Sequence, residues 1–375
     1  TLCCFLLVLD TNQGLVLIDT SSPISAYTNY EEIIGWKNKP LHTAIYTHGH
    51  VDHVFGVGPF EENQDTPARV IAHENVPKRF QRYVLMNGYN SCINSRQFQT
   101  DIQMPKEYRY PDVTYRNEMV CNVGDEKMHL FHDRGETDDA TWIWLPSRRV
   151  LCTGDLIIWC SPNCGNPQKV QRYPIEWANA LRKMEALNAE LLFPGHGPAV
   201  VGAERVKAVL SDTALFLELI TTQSIQLINK GLSLPQVIEN MQMPEELLKR
   251  PYLKPIYDEP EFIVRTMWRQ YAGWFDQIPS RLHSVPMDKI GNAVSSIAGC
   301  PKTVADKALT ENKDGNTGVA RILVDYAVAA GPKEKSILLA RAKIYQDSVE
   351  KATSLMSKGI YQAVVNDMKT QLSKL

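Results

Sequence analysis

The chain has 375 residues, enough for two domains, with 44% hydrophobic and 22% charged residues. That balance excludes a disordered or fibrous protein, and a net charge of -2 provides no broad basic field for nucleic acid. The eight cysteines (Cys3, Cys4, Cys92, Cys121, Cys152, Cys160, Cys164 and Cys300) form no CxxC pair, so reduced, partly buried thiols are expected rather than a disulfide framework.

The opening apolar run LCCFLLVLD has no basic leader or cleavage site and is too short to span a bilayer, so it reads as a buried strand. A chain that opens in a core strand without Met is expected to be a fragment, from which a targeting signal could also be missing. The cytoplasm is favoured as its setting. LLVLD (6–10) and GLVLIDT (14–20) flank Thr11-Asn12-Gln13-Gly14, a hairpin signal. HTAIYT (42–47), VIAH (70–73), KMHLFHD (127–133), ATWIWLP (140–146) and RRVLCTGD (148–155) are further strands, with a turn at Ser147-Arg148-Arg149. IEWANALRKMEAL (175–187) carries apolar residues at helical spacing and leads into AELLFPGHG (189–197), a strand that ends at a histidine.

Near residue 203 the pattern becomes helical. A long amphipathic segment stops at Gly231, and Ser233 with Pro235 starts the next helix. Helical segments continue to Leu375, broken by Pro244, Pro251, Pro279, Pro286, Pro301 and Pro332. Paired antiparallel helices hinged at Gly359 are expected over 333–375. The expected organisation is an α/β domain over 1–203 followed by an all-α domain over 204–375.

The most informative stretch is Thr47-His48-Gly49-His50-Val51-Asp52-His53, directly after a strand. Imidazole and carboxylate suit zinc and similar divalent ions. In an extended segment alternate side chains share a face, so His48 and His50 can reach one ion. The following turn can send Asp52 and His53 to a second, and Gly49 permits a tight backbone.

These residues resemble the metallo-β-lactamase superfamily, which implies an αββα sandwich for the first domain and three later ligands, each at a strand end. Asp155, ending RRVLCTGD, looks like the carboxylate that bridges both metals, and His196 in Pro194-Gly195-His196-Gly197 looks like the last histidine. Many members place the remaining ligand, a histidine, after a Pro-Gly. This chain has Arg134-Gly135-Glu136-Thr137-Asp138-Asp139 instead. The alkyl sulfatase branch uses a glutamate there, and a gap-free count back from Leu145-Pro146 places Glu136 on it, with Asp138, Asp139 and His132 in reserve. The segment ending Arg269-Gln270-Tyr271-Ala272-Gly273-Trp274-Phe275-Asp276 is similar to the dimerisation domain of the same branch. Among this chain's departures from the branch are the wording of the 134–139 loop and an aspartate at 155 where alkyl sulfatases have glutamate.

The resemblance implies a hydrolase with two divalent ions, zinc by default though manganese or iron also suit, with Asp52 and Asp155 in catalytic roles. It implies cleavage of alkyl sulfate esters, with Asn163, Arg172 and, as runner-up, Lys169 holding the sulfate. A lactone, thioester or phosphodiester substrate is the alternative. A homodimer is expected, acting on a small molecule. His73, His129 and His132 are expected to be packing or surface histidines. Tyr83, Tyr89, Tyr108, Tyr110 and Tyr115 are pocket-wall or packing residues, and Trp142, Trp144 and Trp159 line core or pocket.

Overall fold

In strands buried on two sides, alternate residues must find two different apolar layers. Leu15 and Leu17 pack to one side of their strand, and Val16 and Ile18 to the other. The computed structural model describes residues 5–242 and 245–375, so expectations for Cys3, Cys4 and Pro244 lie outside the described residues. It contains two compact units. The first comprises Thr1–Asn90 with Gln103–Trp274, and the second Ser91–Ile102 with Phe275–Leu375.

In the first unit the hairpin strands β1 (Leu7–Thr11) and β2 (Gly14–Ile18) pair antiparallel, with Thr11 opposite Gly14. Beyond them lie α1 (Ala26–Trp36), β3 (Leu41–Ile45), α2 (Gly58–Glu61), β4 (Arg69–His73), α3 (Val76–Leu85), α4 (Asn87–Phe98), most of which belongs to the second unit, and β5 (Val113–Tyr115). The first sheet has the order β1-β2-β3-β4-β5, parallel from β2 onward. The chain continues through β6 (Glu118–Val123), β7 (Glu126–His132), β8 (Thr141–Leu145), β9 (Val150–Gly154), α5 (Pro174–Glu185), β10 (Leu191–Pro194) and β11 (Val200–Val201). These strands form a second sheet, ordered β11-β10-β9-β8-β7-β6.

Val16, Ile18, Ile45 and Ile71 of the first sheet share one apolar cluster with Met128, Leu130, Ile143 and Leu145 of the second. The outer face of the first sheet is covered by helices that contribute Ile33, Phe60, Val76 and Phe80. The outer face of the second is covered by α5 and by α6 (Ala203–Asn229), through Trp177, Leu181, Phe216 and Leu217. The result is the expected αββα sandwich. Two further helices, α7 (Leu234–Asn240) and α9 (Pro260–Tyr271), add Val237, Ile263 and Trp268 to that last cluster, with α8 (Glu245–Leu248) between them. Ser233 starts α7 with a capping box to Gln236, as its position suggested. Because α6 buries its apolar stripe against α5 and the second sheet, and α7 and α9 pack in turn on α6, the first compact unit runs past residue 203 to Trp274.

The second unit holds α10 (Met287–Ala298), α11 (Pro301–Lys313), α12 (Thr317–Ala330), α13 (Lys335–Lys351) and α14 (Leu355–Leu372). Its core is built from Val304, Ala308, Val324, Ala327, Ile337 and Ile344. The hinge expected at Gly359 falls elsewhere: α13 ends at Lys351, and Ser354 caps α14 by accepting from the Ser357 N–H. Gly359 lies inside α14, where a Cβ would come 2.6 Å from the carbonyl oxygen of Gln97. Its missing side chain thus serves close packing rather than a turn. The 91–102 segment joins this unit through Gln99, which donates to the Gly359 carbonyl at 2.9 Å and accepts from Asn366 at 2.9 Å.

Candidate metal centre

The strand ends of the first unit bring the widely spaced candidates together. His48 and His50 follow β3, Glu136 lies between β7 and β8, Asp155 follows β9 and His196 follows β10. Two groups result: His48, His50, Glu136 and Asp155, and Asp52, His53 and His196, with the donor atoms in each within 4.8 Å of one another.

The spacing within each group carries chemical information. His48 Nε2 lies 3.7 Å from Glu136 Oε2 and 3.6 Å from Asp155 Oδ2, and His50 Nδ1 lies 3.4 Å from Glu136 Oε2. In the other group, His53 Nε2 is 3.3 Å from Asp155 Oδ1 and 3.7 Å from Asp52 Oδ2, while His196 Nε2 is 3.4 Å from each of those oxygens. Most of these separations are long for hydrogen bonds. They match ligands sharing one tetrahedral ion, whose ~2.0 Å bonds place neighbouring donors about 3.3 Å apart. Asp155 faces one group with Oδ2 and the other with Oδ1, the geometry of a bridging carboxylate. Among the described residues Glu136 Oε2 and Asp155 Oδ1 are buried without a hydrogen-bond partner. Such oxygens are costly unless a cation faces them, so the donor set fits two divalent ions.

The electrostatics point the same way. Burial, then the charges of His48, Arg79 and Arg172, hold His50 well below the usual imidazole range, which leaves its ring neutral and able to ligate. Burial pushes Asp52 upward, but the neighbouring His53 and a hydrogen bond from His196 bring it down to about 2. Asp155 is likewise held well below the carboxylate range, against burial, by His196, His53 and His48. His196 is raised to about 10, also against burial, because Asp155 and Asp52 face it, a negative field in which a bound cation would take the place of the ring proton. Asp52 is the most open of the group, its side chain 44% exposed.

Supporting residues fix the candidate ligands, and two of them, Asp19 and Arg79, were not singled out from sequence. Asp19, just beyond β2, accepts from His53 Nδ1 at 2.8 Å, from the Thr47 N–H at 2.7 Å and from the Thr47 hydroxyl at 2.8 Å. Thr47 Oγ1 is in turn 3.0 Å from His48 Nδ1. One buried carboxylate therefore orients members of both groups. Asp139 Oδ2 accepts from the Gly49 N–H at 3.1 Å, between the two histidines, and from Arg79 Nε at 2.6 Å. Asp138 also pairs with Arg79. His132 stacks on His73 with ring centroids 3.6 Å apart, and its Nδ1 bonds the Ala140 carbonyl. Asp138, Asp139 and His132, held in reserve for the ligand at 136, thus have other partners.

Asn163 Nδ2 donates to Glu136 Oε1 at 2.6 Å and Arg172 Nη1 reaches the same oxygen at 2.7 Å, so two of the three candidate sulfate-holding residues brace a candidate ligand carboxylate. Lys169 lies within electrostatic range of Arg172 and Glu136, and burial followed by the Arg172 charge lowers its pKa to about 8. The Tyr83 ring lies parallel to His50, centroids 6.5 Å apart, whereas Tyr115 is buried and donates to Thr141. Tyr257 was also unmarked in the sequence. Burial raises its phenol, and the charges of Glu136, Asp52 and Asp155 add to the shift. Cys160 and Cys164 are buried thiols outside both groups.

Comparison with known proteins agrees with this geometry. The metallo-beta-lactamase superfamily profile matches residues 4–196, and the alkyl sulfatase dimerisation profile matches 233–371. A linear primary-alkylsulfatase of Pseudomonas sp. (strain ATCC 19151) is 24% identical over 88% of this chain and 67% of its own length. An (R)-specific secondary-alkylsulfatase of Pseudomonas sp. is 23% identical over 88% of this chain and 54% of its own. The solved stereoselective inverting sec-alkylsulfatase from Pseudomonas sp. superposes with a TM-score of 0.87 at 19% identity, covering 99% of this chain and 63% of that one. The chain thus spans roughly half to two thirds of the length of these relatives. With its paired ligand groups on an αββα sandwich, the chain belongs to the metallo-β-lactamase superfamily and carries the alkyl sulfatase dimerisation domain.

Proposed function

We propose that this protein hydrolyses alkyl sulfate esters to alcohol and sulfate at a site for two divalent ions, zinc in the first instance. The observation that carries the reading is Asp155, whose two carboxylate oxygens face two separate ligand groups. His48, His50, Glu136 and Asp155 would hold one ion; Asp52, His53, His196 and Asp155 the other. Ions there would acidify water and neutralise charge on the ester oxygens. Asp52, on the open side, is placed to accept a proton from water. Lys169 and Arg172 supply positive charge for the sulfate, which needs donors for its anionic oxygens. Glutamate rather than histidine at 136, together with the alkylsulfatase relatives, favours sulfate over the lactone, thioester and phosphodiester alternatives. The dimerisation domain supports a homodimer. Among the described residues no helix is long and apolar enough to cross a membrane.

Zinc-loaded protein is expected to release sulfate from dodecyl sulfate or a secondary alkyl sulfate, while Asp52→Ala does not. No sulfate release by the loaded protein, alongside turnover of a lactone or thioester, would replace the reading. Labelled water then shows which bond breaks: label in the alcohol means attack at carbon, and label in sulfate means attack at sulfur. Asp19→Ala is expected to weaken zinc binding about 10- to 100-fold, because His53 loses its orienting carboxylate. Competition against a coloured chelator measures it, and unchanged affinity would deny Asp19 that role.

A further inference from the structure

Glu136 can present Oε2 to His48 and His50 only while its other oxygen is held, and part of that hold comes from Asn163. Asn163 lies in an irregular loop without a ladder of its own, so something must fix the loop. The fixing contacts come from the segment that leads into α9. The Ser161 N–H donates to the Lys254 carbonyl at 3.0 Å. The Gly165 N–H donates to Asp258 Oδ2 at 2.5 Å, and Asp258 Oδ1 accepts the Glu259 N–H at 2.8 Å. Gly165 sits so close to α9 that a Cβ would fall 2.2 Å from the Phe262 carbonyl carbon and 2.3 Å from the Ile263 nitrogen.

Asp258 is fully buried, and neither ligand group includes it. Burying a carboxyl is costly, and here burial raises its pKa to about 7 although two backbone N–H groups pull it down. A residue retained against that cost has a specific task, and the task visible here is to join the 161–165 loop to the head of α9.

We infer that Asp258 is a positioning residue: by tying the Gly165 backbone to the start of α9 it places Asn163, and through Asn163 it sets the direction in which Glu136 faces His48 and His50. The chain Asp258–Gly165–Asn163–Glu136 makes one ligand group, and not the other, depend on a segment more than a hundred residues further along. This inference rests on the two-ion reading of the site.

Calorimetric titration of zinc into chelator-stripped full-length protein tests it. The wild type is expected to bind two ions. Asp258→Asn, which keeps the shape but loses one acceptor oxygen, is expected to weaken one of the two binding steps about tenfold and leave the other unchanged. Asp258→Ser, which removes the carboxylate without added bulk, gives the same signature if the isosteric variant folds poorly. Asn163→Ala is expected to weaken the same step, and the double variant Asp258→Asn with Asn163→Ala to be no weaker than Asn163→Ala alone, since both act through one path. Equal weakening of both steps, or additive losses in the double variant, overturns the positioning role. Two ions bound by Asp258→Asn with wild-type affinities overturn this inference alone, whereas a wild type that takes up no zinc overturns the two-ion reading and this inference with it.

Discussion

Replacement of Asp155 by alanine is expected to lower sulfate release on the order of 10^4-fold or more, the equivalent of several kcal/mol of transition-state stabilisation. Each of the other six ligand candidates belongs to one group, so removing one leaves the opposite group intact. Asp155 alone contacts both, at 3.6 Å from His48 on one side and 3.3 Å and 3.4 Å from His53 and His196 on the other. Its loss also strips His196 of the larger of the two carboxylates that keep its ring in a negative field. Zinc analysis should fall from two ions per chain toward one or fewer. An Asp155→Ala variant that keeps two ions and most of its activity would remove the bridge from the argument. Asp155→Glu is the informative companion, because alkyl sulfatases are expected to carry glutamate there.

The largest stability loss is expected at Arg79 rather than at a ligand. Arg79 on α3 is 4% exposed and pairs with Asp139, which is fully buried, and with Asp138. Arg79→Met would leave the Asp139 carboxylate buried with no cation to offset its lost hydration. Breaking a buried pair from one side costs about 3–5 kcal/mol. Urea unfolding of the metal-free protein should show that loss, with Arg79→Lys intermediate because a single ammonium cannot serve both carboxylates in fork geometry. A change within about 0.5 kcal/mol would mean that Asp139 finds another partner or takes up a proton. Since the Asp139 oxygen that accepts from Arg79 also accepts the Gly49 N–H, the Arg79→Met variant should bind zinc more weakly as well.

What could be read from the chain before folding follows a physical divide. The 47–53 cluster was legible because it directly follows a strand that announces itself by local pattern, whereas Glu136, Asp155 and His196 became candidates only through the family resemblance, which asks for three later ligands at strand ends. The residues that hold those ligands were not legible. Asp19 follows a strand in a way any turn aspartate might, and its partners Thr47 and His53 lie 28 and 34 residues away. Arg79 reads as one more basic residue on an amphipathic helix, and its partner Asp139 is 60 residues distant. Nothing local marks Asp258, whose contact with Gly165 spans 93 positions. Gly359 shows the converse failure. A glycine near a helix pair resembles a stop signal, and only the neighbouring backbone of Gln97 shows that it marks a close approach. The division near residue 203 follows the change in periodicity, yet periodicity does not say on which surface a helix lays its apolar stripe, and α6 lays its stripe on the second sheet.

Each ligand group draws on both sheets. His48 and His50 follow a strand of the first sheet while Glu136 and Asp155 belong to the second, and His53 meets His196 in the same way. The distances that matter for chemistry are therefore measured across the seam of the sandwich, and the interleaved side chains Val16, Ile18 and Ile45 against Leu130, Ile143 and Leu145 act as its spacer. A slip of about 1 Å at a reacting centre can cost roughly a hundredfold in rate. A methyl group gained or lost in that hidden layer is thus felt at the two ligand groups, and the thickness of an oily interior sets how closely they meet.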